Sequence, residues 1–284
     1  TTSKYQDLPM EEIVFGKNFT DHMLICDYEN GAWKTPEIVP YGNVEMSPAL
    51  AALHYGQSIF EGVKAYRQPD NTVAIFRPQD NWARMNVSAE RMDMPQIPEE
   101  IFVEGLRQLI EIDEKWVPSY DETSLYIRPF MYSTDAFIGV KSSDNYRFCI
   151  IMSQAGKYYN KPVNIYVQDE FVRAVPGGIG FTKAAGNYAG QFYPTKLANE
   201  KGFQQVIWTD DATHTKLEEA GTMNVFFRIN DTLVTAPTSE RILDGVTRKS
   251  ILALAEREGI KTEVRPITVD ELVAAHQNGS LKEI

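Results

Sequence analysis

Lys183 lies in the segment GFTKAAGNY, where small and apolar residues surround it instead of charges. Removing an ammonium group from water lowers its pKa, and the neutral amine that results is a nucleophile for carbonyl groups. A lone lysine in a loop is usually just a solvated one, so Lys183 gains meaning only from its companions. Gly245, Val246 and Thr247 open the helix VTRKSILALAERE, whose first-turn amides and threonine hydroxyl suit a phosphate. Read by itself, this is an ordinary junction between a loop and a helix. Glu218 and Glu219 enter the strand pattern around GTMNVFF, and alternation sends their side chains to opposite faces. At most one then points inward, and the bland alternative is a pair of surface carboxylates. An amine for an aldehyde, a cradle for a phosphate and a carboxylate for a protonated ring nitrogen are the parts of a pyridoxal phosphate site.

Composition bounds what these residues belong to. The chain of 284 residues carries 28 Lys and Arg against 39 Asp and Glu, a net charge of −11. Such an acidic chain without a basic run is a poor ligand for nucleic acid or an anionic membrane surface. Hydrophobic residues make up 43%, enough for a packed core. Two isolated cysteines, Cys26 and Cys149, and four scattered histidines make neither a disulfide framework nor a zinc site. No basic-then-apolar leader opens the sequence and no apolar run reaches membrane-spanning length, so a cytoplasmic protein is expected.

The elements that must position the chemistry are legible as patterns. SPALAALHYGQSIF (47–60) reads as a helix capped by Ser47. VKAYR and TVAIFRP read as strands, Pro78 opens a helix to about Met92, and an amphipathic helix follows Pro98. SLYIRPFMY and NYRFCIIMSQ read as buried strands, the first putting Tyr126 and Arg128, two apart, on the same face. The break GKYYNKP predicts a linker at 156–162, between a small α/β domain over 1–155 and a large cofactor-binding domain over 163–284. In the second half, VNIYVQD and QQVIWTD read as strands, and Asn230-Asp231 joins a hairpin. Gly259 stops the helix begun at Val246, and Thr268 with Glu271 forms a capping box. The chain ends on what reads as a strand entry, SLKEI, so the large domain is expected to be incomplete at its C-terminus.

YGQSIFEGVKAY, FRPQDNWARM, TSLYIRPF, KAAGNY, EEAGTMNVFF and ILDGVTRKS occur in that order along the chain. In these motifs the sequence resembles the branched-chain-amino-acid aminotransferases, pyridoxal phosphate enzymes of fold type IV. The resemblance implies a two-domain mixed α/β (α+β) fold and transfer of an amino group between leucine, isoleucine or valine and 2-oxoglutarate. It implies a Schiff base at Lys183, which also moves the proton at the substrate Cα. Glu219 would meet the ring nitrogen, Tyr188 the cofactor O3′, and Leu243 the ring face. Arg84, with Gly245, Val246 and Thr247, would hold the phosphate. Tyr55, Phe60, Tyr126 and Arg128 would line the substrate pocket, with Arg128 beside a carboxylate. The resemblance further implies a homodimer in which a loop around Ile138-Gly139-Val140 closes the partner's pocket. It also implies a Gly-Thr-Ala type turn beyond the last residue here. A D-amino-acid aminotransferase or an aminodeoxychorismate lyase would share the lysine and the glutamate, and a non-catalytic relative is the alternative of another class.

Overall fold

The computed structural model describes residues 2–5, 9, 12–119, 121–157, 159 and 161–284. The chain divides into two compact units, one of residues 1–160 together with 183–185, the other of 161–182 and 186–284.

The first unit is built on an eight-stranded sheet whose pairs are all antiparallel. Its strands are β1 (His22–Glu29), β2 (Ala32–Trp33), β3 (Glu37–Pro40), β4 (Ser58–Phe60), β5 (Val63–Arg67), β6 (Val73–Ile75), β7 (Ser124–Ser133) and β8 (Tyr146–Ala155). Their order is β2-β1-β8-β7-β5-β6, with β3 on β1 and β4 on β7. The ten-residue strands β7 and β8 pair along their whole length, as their Ile/Tyr/Phe-rich sequence predicts. Three helices accompany the sheet: α1 (Ala51–Tyr55), α2 (Pro78–Arg91) and α3 (Gly105–Ile112), the last preceded by one π turn. Phe102, Leu106, Leu109 and Ile110 are buried, the apolar stripe expected after Pro98.

The helix read over 47–60 is a correction. Only Ala51–Tyr55 is helical, because Gly56 adopts the left-handed conformation at φ 67° and ends it. Ser58–Phe60 then leaves as β4 and pairs with β7 through Ile59↔Met131. Ser47 still accepts a bond from the Ala49 amide, but as a turn ahead of the helix.

The second unit holds two four-stranded sheets and four helices. β9 (Ile165–Val167), β10 (Gln205–Thr209), β11 (Leu217–Ala220) and β12 (Met223–Asn224) form one sheet, with β9 and β10 parallel. β13 (Phe226–Ile229), β14 (Thr232–Thr235), β15 (Lys261–Val264) and β16 (Leu281–Glu283) form the other. The β13–β14 hairpin turns at Asn230, whose φ of 51° an asparagine tolerates. The helices are α4 (Gly186–Ala189), α5 (Phe192–Glu200), α6 (Val246–Arg257) and α7 (Val269–Gln277). Thr268 caps α7 by accepting from the Glu271 amide at 3.1 Å. A core of Ile207, Leu217, Val225, Phe227 and Ile267 underlies the sheet carrying the paired glutamates.

Candidate active site

Backbone pairing fixes Lys183. Its amide donates to the buried Ser88 hydroxyl of α2 (3.0 Å), and its carbonyl accepts from the Phe60 amide of β4 (3.1 Å). Ala184 is fully buried and bridges Ile59, so 183–185 runs beside β4 as a short extra rung. The small residues that first marked this segment are those that fit so close to a strand. The ammonium lies 4.8 Å from the centroid of Phe60.

Asn81, Arg84 and Ser88 share one face of α2 by their spacing of three and four. That face meets Glu61, which has no solvent exposure. The Glu61 carboxylate accepts from Arg84 Nε and Nη2 (both 2.8 Å) and from Asn81 Nδ2 (2.7 Å). A buried carboxylate is tolerable only with such a shell of donors. The resemblance directs Arg84 to a phosphate; in the structure it forks onto Glu61.

Burial of the Lys183 amine lowers its pKa from 10.5 to about 8. Glu61 pulls the other way, Arg84 and Arg128 push it further down, and Tyr126 opposes them. The aromatic face of Phe60 also favours a cation, by about 1–2 kcal/mol, but desolvation dominates.

Tyr126 and Arg128, two apart on β7, do share a face: Arg128 Nη2 donates to the Tyr126 hydroxyl at 2.7 Å. The guanidinium carbon stands 4.3 Å from the centre of Phe60. Its Nε has no hydrogen-bond partner among the described residues. Gly62 permits the arrangement, since a Cβ there would lie 2.6 Å from the Tyr126 oxygen. A cavity of about 120 Å³ opens beside them, lined by Phe15, Phe19, Tyr126, Arg128 and Ile151 among others. Phe15 stands edge-on to Tyr126 at 4.8 Å. A larger cleft of about 610 Å³, lined by Tyr28, Asp93, Ser142 and Tyr146, carries none of these side chains. Tyr55 also stands apart, exposed, with its hydroxyl on the Ile138 carbonyl.

In the second unit, Glu219 Oε1 accepts from the Leu243 amide (3.0 Å) and from Asn224 Nδ2 (3.1 Å), and Oε2 pairs with Arg173 Nη2 at 2.7 Å. Asn224 also donates to the Leu243 carbonyl (2.9 Å), which ties the strand to the segment ahead of α6. A Cβ on Gly245 would collide with the Asn224 side-chain oxygen, so a larger residue at this helix entry would have to displace the Asn224 amide from its bonds to Glu219 and Leu243. No side chain caps α6, and the amides of its first turn have no acceptor within the helix. That is a cradle for an anion, with Val246 buried and Thr247 exposed. Tyr188 is half-buried on α4.

The surface alternative for the paired glutamates is overturned. β11 is a buried strand of its own, and Glu218 and Glu219 are 5% and 3% exposed. Glu218 faces Arg241 Nε at 2.6 Å, and burial raises its pKa despite that partner.

Sequence reasoning missed Glu61, Asn81, Ser88, Phe15, Arg173 and Asn224. The 81/84/88 spacing on a helix that also buries Met85 and Ala89 was the available signal for two of them, Asn81 and Ser88. Each unit carries residues whose chemistry fits pyridoxal phosphate: the first a desolvated amine, the second a well-donated carboxylate and a helix entry without a side-chain cap.

The Amino-transferase class IV family matches residues 58–278. Branched-chain-amino-acid aminotransferase 2 of Bacillus subtilis is 46% identical over 287 residues, covering all of this chain and 79% of that protein. Among solved structures, the Escherichia coli branched-chain amino acid aminotransferase superposes with a TM-score of 0.72 at 25% identity, over 89% of this chain and 78% of that one. The branched-chain amino acid aminotransferase of T.th., complexed with N-(5'-phosphopyridoxyl)-L-glutamate, gives 0.68 at 25% identity, over 87% and 78%. The fold type IV architecture follows from these likenesses, and the chain belongs to the branched-chain-amino-acid aminotransferases, a pyridoxal phosphate-dependent transaminase family.

Proposed function

We propose that this chain transfers the amino group between L-leucine, L-isoleucine or L-valine and 2-oxoglutarate, with Lys183 as the amine that takes up the cofactor aldehyde. The observation that carries the reading is a lysine whose main-chain amide and carbonyl are both bonded in place and whose amine is desolvated to a pKa of about 8. Such a group is part neutral at physiological pH and so serves as nucleophile and as proton carrier.

Bound pyridoxal phosphate supplies a sink for the electrons left at the substrate Cα. The chain does the rest. Lys183 moves the proton at that carbon. Glu219 accepts from the ring nitrogen, Tyr188 binds O3′, and Leu243 packs on the ring. Gly245, Val246 and Thr247 offer amides to the phosphate, joined by Arg84 in the orientation Glu61 gives it. Arg128, whose Nε is without a partner among the described residues, takes a substrate carboxylate. Phe60, Tyr126 and Phe15 exclude water around an aliphatic side chain. Tyr55 and the exposed Phe137, Ile138 and Val140 serve a second copy of the chain, forming a homodimer. Among the described residues no helix is long and apolar enough to cross a membrane, and we assign the enzyme to the cytoplasm.

Borohydride reduction of the protein with pyridoxal phosphate tests the central assignment. Peptide mapping is expected to find the pyridoxyl label on Lys183, and a label on another lysine refutes it. Consumption of L-leucine but not D-alanine is expected; the reverse selects the D-amino-acid reading.

A further inference from the structure

We infer that Arg173 is a positioning residue that holds the Glu219 carboxylate in its ionised form and thereby keeps a proton on the cofactor's ring nitrogen. The inference rests on the reading of Glu219 as the partner of that nitrogen. Adjacent residues of β11 bury two carboxylates, and each has its own arginine. Arg241 is a loose partner for Glu218: it is about a quarter exposed and shares itself with Asp211 at 3.2 Å. Arg173 is a different kind of partner. Its side chain is 5% exposed and its Nη2 lies 2.7 Å from Glu219 Oε2.

The backbone is shaped to keep Arg173 there. The same Nη2 donates its hydrogens to the carbonyl oxygens of Gly180 (3.0 Å) and Arg241, which leaves Glu219 an ion-pair partner at its side. For those two carbonyls to converge, the Gly180 and Glu240–Arg241 segments must nearly touch. A Cβ on Gly180 would overlap Ala174 and sit 2.9 Å from the Glu240 oxygen. The glycine in Gly-Ile-Gly-Phe is therefore a packing requirement of the arginine's seat.

Glu219 so held has a guanidinium in ion-pair contact and accepts from a backbone amide and a side-chain amide. A carboxylate with two donors and a buried cation against it is a weak base. A protonated ring nitrogen facing a weak base keeps its proton, and the ring remains cationic. Without the guanidinium, the same pair in a buried setting relaxes by passing the proton from nitrogen to Oε, leaving two neutral groups. Arg173 thus acts through Glu219, with no contact of its own to the reacting atoms required.

The test uses holoenzyme loaded with pyridoxal phosphate labelled with ¹⁵N in the ring, its nitrogen shift followed by NMR as pH is raised. Wild type is expected to hold the protonated shift to the highest pH. Arg173→Lys keeps the charge but loses the guanidinium seated on the two carbonyls, and should release the proton about one pH unit earlier, a tenfold weaker hold. Arg173→Gln should release it earliest. If Arg173→Gln does not fold, wild type against Arg173→Lys decides alone. Identical titration in every folded variant overturns the inference and leaves the reading of Glu219 intact. A wild-type ring nitrogen unprotonated at neutral pH overturns that reading and the inference with it.

Discussion

The titration of Lys183 gives a quantitative test of the site's electrostatics. Desolvation brings its amine from 10.5 to about 8, with Glu61 resisting and Arg84 and Arg128 assisting. At pH 7 about a tenth of the side chain is then neutral, and at pH 9 about nine-tenths. Reaction of the cofactor-free protein with formaldehyde and cyanoborohydride, followed by mass spectrometry of the Lys183 peptide, reads that neutral fraction. The rate should rise about tenfold from pH 7 to pH 9 and then level. A lysine at its ordinary pKa rises about a hundredfold over the same interval and keeps rising. Glu61→Gln removes the negative charge and releases Arg84 from its partner, so both changes favour the neutral amine and the midpoint should fall below 8. Because the folded pKa lies below the unfolded one, the unfolded chain carries the extra proton between pH 8 and 10.5. This group's contribution therefore makes the folded state more stable as pH rises through that window, by about 3 kcal/mol in all. A hundredfold rise without a plateau, or a midpoint moved upward by Glu61→Gln, refutes the reasoning.

The two buried glutamates should part company. Glu219→Gln strands Arg173 in the interior and is expected to cost about 3 kcal/mol in thermal melts as well as slowing the leucine half-reaction. Glu218→Gln leaves a partly exposed Arg241 that still has Asp211, so a loss of about 1 kcal/mol with normal cofactor uptake is expected. Equal catalytic losses from both would show that the register of β11 is misassigned. Arg128→Met should slow single-turnover reaction with glutamate more than with leucine, since leucine's side chain makes no demand on the guanidinium. Val140, 88% exposed beside Phe137 and Ile138, should tolerate Val140→Asp in the fold but not in the dimer, and sedimentation at micromolar concentration checks it.

What the sequence discloses is what local physics decides. The Thr268–Glu271 cap, the Asn230 turn, the entry of α2 at Pro78 and the shared face of Tyr126 and Arg128 each involve residues within a few positions of one another. The burial of Glu61 and Glu218 is of another kind. Their arginines lie 23 positions away in each case, and Ser88 meets the Lys183 amide across 95. No periodicity announces such pairs, so a carboxylate in a charged-looking stretch reads as surface. The helix expected over 47–60 fails for a related reason. Its apolar spacing suits a helix, but the pairing of Ser58–Phe60 with β7, some seventy residues on, prevails once Gly56 breaks the turn.

These charges resolve a conflict built into the proposed chemistry. A site for a phosphate and for dicarboxylic substrates wants positive charge, whereas its lysine must shed a proton to react. Guanidinium groups meet both demands, because they hold their own protons at any working pH while disfavouring a further cation nearby. Arg84 and Arg128 both lower the Lys183 pKa, the direction in which burial already drives it. Left unopposed, that push would make the amine a still weaker base and a poorer carrier of a proton. Glu61 opposes it with a fixed negative charge, fully buried and bound twice by Arg84. One carboxylate between a guanidinium and an amine can therefore aim the first and restrain the second. On this account its removal should be felt in the titration of Lys183 before it is felt in the fold's architecture.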